Sequence, residues 1–273
     1  MTVKRFKRVF LYFAVLLFTV FSLLPFYMMM MMGTYQNEEL FTGIKLFPGN
    51  YLLQNLQTVL SVNYFQFYKN SLYIAVIAGI GGAFTSALAG FAFAKYRFRY
   101  KKTLFLIVIG TLMIPHQLGL IAFVAEMKWF GMFNTHWPLM IPPMANAFGV
   151  FWMTQFIGSS VPDEIIESCR VDGCHEFRIF LQIILPIIKP AITTIFLLLF
   201  LGSWNNYLTP LVLLNKENLY TVPLAISMLG NLYRVDYAAR ILALAIATVP
   251  MIILFIACSK SLLRGITEGS IKG

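Results

Sequence analysis

Six apolar stretches, at residues 9–32, 71–94, 103–125, 138–157, 187–201 and 241–259, alternate with polar connections along the chain. The first has twenty-four residues without a charge, and about 20 apolar residues suffice to cross a bilayer. A cleaved leader would have a shorter apolar core followed by a small-residue cleavage site, so this stretch reads as a retained helix. The second carries Ala78, Gly82, Ser86, Gly90 and Ala94 at unbroken i+4 spacing. Such a stripe of small residues lets two helix backbones approach closely. The third stretch is interrupted at Pro115-His116-Gln117, and the fourth holds Pro142-Pro143 and Asn146. The fifth breaks at Gly202-Ser203-Trp204-Asn205-Asn206-Tyr207 and resumes at 211–214, with Pro210 between. Irregular backbone at membrane depth is tolerated only where protein or a water-lined cavity satisfies the freed polar groups. Polar residues beside such a break point to a translocation path.

Between the fourth and fifth stretches lies a polar island, residues 161–186, with five of the chain's eleven carboxylates. A charge at a bilayer centre costs roughly 2.5–3.5 kcal/mol on insertion scales, so this segment belongs at a membrane surface. Pro162 followed by Asp163 and Glu164 predicts a helix start, with acids at the positive end of the helix dipole. Asp163, Glu167 and Arg170 then share one face, and Ile165, Ile166 and Cys169 form the apolar side. Asp172-Gly173 predicts a turn. A second short helix follows, with Phe177, Phe180, Leu181 and Ile184 as its apolar stripe and Pro186 at its end.

Composition agrees with the pattern. Of 273 residues, 59% are hydrophobic and 12% charged, against about a quarter charged in soluble domains; this is an all-α integral membrane protein. The net charge of +10 follows from the positive-inside rule rather than from binding nucleic acid. With both termini, the 95–102 and 161–186 segments and Lys189 inside, fifteen basic residues face inward and six outward. Cys169, Cys174 and Cys258 form no metal or redox pattern, and His116, His136 and His175 are isolated. His175-Glu176 opens like a zinc-protease motif, but position 179 is isoleucine. The chain has no GxxxxGK[ST] phosphate loop, no catalytic constellation and no acid inside an apolar stretch. It is therefore expected to be neither an enzyme nor an ATPase, and to need no metal or cofactor. The missing membrane carboxylate also argues against proton coupling. A secondary carrier would further call for inverted repeats, which the sequence lacks.

The spacing Glu167-Ser168-Cys169, three residues, Gly173, nine residues, Ile183, one residue, Leu185-Pro186 resembles the EAA loop of ABC-importer permeases. Ser168 and Cys169 stand where that family usually has two alanines. SWNNYLTPLVLL (203–214) resembles the WN-x-[FY]-L-x-PL segment of carbohydrate-uptake permeases of the maltose-transporter type. TVPLAI (221–226), the terminus RGITEGSIKG (264–273), MIPHQ (113–117) and FRYKK extend the likeness over roughly residues 70–273. It is closest in kind to the smaller permease partner.

The resemblance implies a single permease domain, residues 1–273, with six transmembrane helices, the type I ABC importer fold, a core at 70–273 and a cytoplasmic coupling helix in 161–186. Glu167, Ser168, Cys169, Asp172, Gly173, Ile183, Leu185 and Pro186 would be its ATPase-coupling residues. The implied partners are a second permease subunit, two ABC ATPase subunits that bind the ATP, an extracytoplasmic solute-binding protein and a sugar. The implied setting is a bacterial or archaeal cell membrane with cytoplasmic termini. Sugars present many hydroxyls and an apolar ring face, which amides and aromatic platforms suit. Trp204, Asn205, Asn206 and Tyr207 supply both, with Gln117 and Asn146 as further path residues. The same four residues could instead shape the helix break. A polyol or glycerol phosphate remains open as an alternative solute.

Overall fold

The computed structural model describes residues 3–229 and 236–270, and these are mostly helical with no strand among them. The chain divides into two compact units, Met1–Phe65 with Ala225–Val249 and Gln66–Leu224 with Pro250–Gly273.

In the first unit α1 (Val3–Met32) runs through Pro25 without ending. None of its apolar window is buried within the chain, and Phe10, Phe18 and Phe21 are all exposed. A face of that kind requires lipid or protein around it. The connection that follows is held by side chains bonding backbone. The Asn55 amide, on α2 (Leu52–Leu60), donates to the carbonyls of Gly33 at 2.9 Å and Tyr35 at 2.8 Å. The Tyr64 hydroxyl donates to the carbonyl of Ala243 at 2.7 Å.

The second unit is organised on α3 (Tyr64–Lys95). Ala78, Gly82, Ser86 and Gly90 are buried and Ala94 half-buried, so the small-residue stripe is a packing face. At Gly90 a Cβ would overlap Met153 and come within 2.9 Å of the Thr154 backbone nitrogen; only hydrogen fits. Met153 and Thr154 lie on α6 (Ala147–Ser160), which follows α4 (Lys101–Thr111) and α5 (Leu120–Trp129). Next come α7 (Asp163–Val171), α8 (Glu176–Ile187), α9 (Lys189–Trp204), α10 (Leu208–Leu213) and α11 (Tyr237–Ser270).

All six apolar stretches carry helix, but they differ in continuity. Among the described residues Lys7–Met32, Tyr64–Lys95 and Tyr237–Ser259 are each long and apolar enough to cross a membrane. A fourth arises if α8 and α9, bent by 83° at Ile188, count together. The stretches at 103–125 and 138–157 are assembled from pieces, with a 3-10 turn at His116–Gly119 in one and at Pro142–Met144 in the other. Pro115, Pro142 and Pro143 lack the N–H that would continue an α-helix.

The connection after α10 is stitched down by neutral polar groups. The Asn70 amide donates to the carbonyls of Asn218 and Tyr220, and Ser71 Oγ accepts the Val222 N–H. His136 Nε2 donates to the Leu219 carbonyl at 2.7 Å while Nδ1 faces the Tyr73 hydroxyl. Burial holds this imidazole below its ordinary pKa, which favours the neutral ring.

Candidate functional site

The polar island folds as two short helices on the end of α3. Pro162, extended, precedes α7, whose first turn carries Asp163 and Glu164. Ile166 is buried on the cluster formed by Phe91, Phe156, Ile179, Phe180 and Ile184, while Ile165 is exposed. Gly173 ends the helix at φ +76. Its N–H bonds the Arg170 carbonyl at 3.0 Å, and the Cys174 N–H bonds the Cys169 carbonyl at 2.9 Å. These two bonds make a Schellman cap, which needs a left-handed residue between them. Cys169 and Cys174 pack together against the same apolar cluster. They form no disulfide.

The charged face does not pair along the helix. Lys95, from the last turn of α3, donates to Asp163 at 2.5 Å and to the Val161 carbonyl at 2.6 Å. That bond, ahead of the Lys95 charge itself, holds the Asp163 carboxyl below its ordinary range. Arg170 engages both oxygens of Glu176, at 2.7 and 3.2 Å. The Tyr96 hydroxyl also donates to Glu176. Arg170 lowers the Glu176 pKa, while burial and then Glu176 push the Tyr96 phenol up to about 12. Glu167 is exposed and makes no hydrogen bond or ion pair among the described residues. Ser168 bonds back to the Glu164 carbonyl at 2.9 Å. Asp172 and Pro186 are exposed, and Ile183 and Leu185 half-buried.

The expected stripe of the second helix needs correction. Phe180 and Ile184 are buried, but Phe177 and Leu181 are exposed, and Ile179 and Ile188 take their places in the core. From Phe180 onward the register is shifted by a π-turn over Phe180–Ile184. A π-turn inserts a residue and rotates the buried face away from a 3.6-residue period.

The second site is a cleft of about 270 Å³ lined by Asn146, Ser203 and Asn206 among Leu139, Pro143, Phe148, Leu198 and Leu199. Its lining is neutral. Asn146 caps α6, accepting the Gly149 N–H at 2.6 Å. Asn205 closes α9, its amide donating to the Leu201 carbonyl at 3.0 Å, and Asn206 accepts the Thr209 N–H at 3.2 Å as α10 begins. Of the six path residues singled out by sequence, the fold brings Asn146 and Asn206 together. Trp204 instead stacks on Phe200 at 5.8 Å and meets Tyr68 edge-on at 5.4 Å, 2% exposed. Tyr207 and Gln117 are exposed and do not line this cleft. Ser203 and Phe148 line it without having been singled out. The break at 202–207 contained Ser203, but nothing in the sequence pointed to Phe148.

Comparison with known proteins fits this arrangement. Residues 86–268 match the family described as binding-protein-dependent transport system inner membrane component. The arabinooligosaccharides transport system permease protein AraQ of Halalkalibacterium halodurans is 29% identical over 210 residues, covering 77% of this chain and 75% of AraQ. The lactose transport system permease protein LacG of Rhizobium radiobacter is 28% identical over 252 residues, covering 92% and 91%. The sn-glycerol-3-phosphate transport system permease protein UgpE of Salmonella typhi is 32% identical over 200 residues, covering 70% and 71%. A chain of a bacterial ABC transporter involved in importing the acidic polysaccharide alginate shares the fold, with a TM-score of 0.81, 21% identity and coverage of 96% and 99%. This chain therefore belongs to the binding-protein-dependent transport system inner membrane component family, and is a multi-pass membrane permease of an ABC importer rather than an enzyme.

Proposed function

We propose that this permease imports an oligosaccharide and is driven through its 161–188 segment by separate ATPase subunits. The observation that carries the reading is the pairing of a neutral, amide-lined cleft with an exposed, carboxylate-rich helix in one unit. The transporter would comprise a second permease chain, two ATP-hydrolysing subunits and a solute-binding protein that delivers the sugar. Both termini lie in the cytoplasm in this reading, as the basic residues demand. Exposed Glu167 meets a basic group of the ATPase, and Gly173 sets the angle between the two short helices. Ser168, Cys169, Asp172, Ile183, Leu185 and Pro186 shape that docking surface. ATP-driven closure of the ATPases moves it as a rigid body and switches access to the cleft. Asn146, Ser203 and Asn206, which line the same cleft, offer hydrogen bonds to sugar hydroxyls.

A second reading, a glycerol phosphate permease, draws support from the UgpE relative. The cleft weighs against it, because an anion entering a low-dielectric site calls for a cation or aligned donors, and the lining residues carry no charge. Co-expression with the neighbouring transport genes and purification in mild detergent separates the readings. Hydrolysis stimulated by a binding protein loaded with neutral oligosaccharide is the expected result. Stimulation by glycerol phosphate alone would favour the second reading. Sugar uptake into liposomes by the isolated chain without ATP would overturn both.

A further inference from the structure

Two consecutive residues at the end of α3 hold the starts of the two short helices of the docking segment. Lys95 reaches its entrance, bonding the Val161 carbonyl at 2.6 Å and Asp163 at 2.5 Å. Tyr96 reaches its second helix through Glu176, which Arg170 grips from α7 with its guanidinium 5.7 Å from the Tyr96 ring. One turn deeper, Phe91 meets Tyr96 edge-on at 5.4 Å and stacks on Phe180, in the π-turn, at 5.7 Å.

The energetics of this contact are unusual for a mere brace. The Lys95 side chain is only 7% exposed and that of Asp163 73%. A half-solvated ion pair contributes little stability, while burying an ammonium costs solvation. Fixed geometry is what the arrangement secures. The same helix reaches the cleft further along. Leu199 and the Pro143 carbonyl, both of residues lining the cleft, press on Gly82, where a Cβ would fall 2.5 and 2.9 Å from them.

We infer that Lys95 and Tyr96 form a clamp that makes α3 the rod by which motion of the docking segment reaches the cleft. They are positioning residues, and the inference rests on the proposed coupling role. α3 moves with the docking segment because it is fastened to the start of each of that segment's two short helices, although the segment's sequence neighbours are α6 and α9. Spatial continuity alone does not demonstrate coupling, so the test measures coupling directly.

The whole transporter, co-purified with its ATPase subunits and reconstituted with loaded binding protein, is assayed for sugar moved per ATP hydrolysed. Lys95→Ala and Tyr96→Phe should each lower that ratio about tenfold, within the range of allosteric couplings. The ATPase subunits should still co-purify, and hydrolysis should no longer rise with binding protein. Lys95→Arg should restore the ratio. Lys95→Ala combined with Asp163→Ala should be no worse than Lys95→Ala alone, because both break the same tie. Tyr96→Phe keeps the ring packing and removes one hydroxyl, so misfolding does not confound it. An unchanged ratio and stimulation in both single variants would overturn the clamp. So would loss of the ATPase subunits on Tyr96→Phe, since the tie would then only shape the docking surface. A wild-type chain that binds no ATPase subunit would instead remove the coupling reading beneath it.

Discussion

Two of the interruptions of helix in the second unit satisfy their polar groups in opposite ways. In the 161–188 segment charged side chains reach across to another helix: Asp163 finds Lys95 on α3, and Glu176 finds Arg170 on α7. In the break between α9 and α10 neutral amides turn onto the nearest backbone, Asn205 onto Leu201 and Asn206 onto Thr209. A charge needs an opposite charge or solvent, and helix ends supply neither in full. An amide is both donor and acceptor, so the orphaned groups of a helix end can take it up locally. A polar residue beside a membrane helix break is thus weaker evidence for a ligand than its position suggests. What remains of it after capping is the part that can bind.

The largest test of this contrast is Glu167→Lys. Glu167 makes no hydrogen bond or ion pair among the described residues, so reversing its charge should leave insertion and folding intact. Docking to a basic partner surface should weaken by about 2–5 kcal/mol, read as ATPase subunit lost on co-purification and as abolished sugar uptake. Normal uptake would show that the exposed acid has no partner.

Gly90→Val should come next. The added side chain meets Met153 and the Thr154 backbone, and overpacking of this kind costs about 1–3 kcal/mol. The thermal unfolding midpoint in detergent should fall, while Gly110→Val, where a Cβ meets nothing within 4 Å, serves as the control.

Gly173→Ala isolates the turn from packing, because no atom lies within 4 Å of the new Cβ. The left-handed backbone alone should cost about 1–2 kcal/mol, visible as faster proteolysis between the two short helices. Asn at this position should be milder.

At the break, Asn205→Ala and Asn206→Ala should each lose a cap worth about 1 kcal/mol. Only Asn206→Ala should also raise the sugar concentration needed for half-maximal transport, since Asn206 lines the cleft and Asn205 does not. Equal effects on transport would erase the distinction between capping and binding amides.

The smallest effect is that of pH. The Asp163 and Glu176 carboxyls are depressed by Lys95 and Arg170 respectively. Their contribution is present above the ordinary carboxylate range, and is lost as pH falls through the lower folded values. Tyr96 works in the opposite sense: raised to about 12, its contribution is complete below about 10, the ordinary phenol value, and fades as pH rises through the folded value. Protease sensitivity of the 161–188 segment should therefore be flat through neutrality and rise only at the two extremes.

Much of this was legible in the chain. Apolar stretches, the basic asymmetry and the interrupted fifth helix follow from the price of placing charge or free backbone in lipid, a rule that acts residue by residue. The Asp172-Gly173 turn and the acid-led start of α7 are equally local. Less legible was where each side chain goes once helices meet. Phe177 and Leu181 lie outside the core, and hydrophobic period cannot register the residue inserted by the π-turn at Phe180–Ile184. Trp204 looked like a sugar platform beside two amides, yet the edge of Tyr68 and the face of Phe200 take its ring. Lys95 read as one of five anchoring cations, and its selective burial depends on Asp163, sixty-eight positions away. Sequence by itself determined which segments are apolar, where they break and which one is too charged for lipid, since these depend on composition over a few turns. Only the tertiary structure decided which polar groups are consumed by the fold and which remain for a ligand, because that turns on partners brought together from distant parts of the chain.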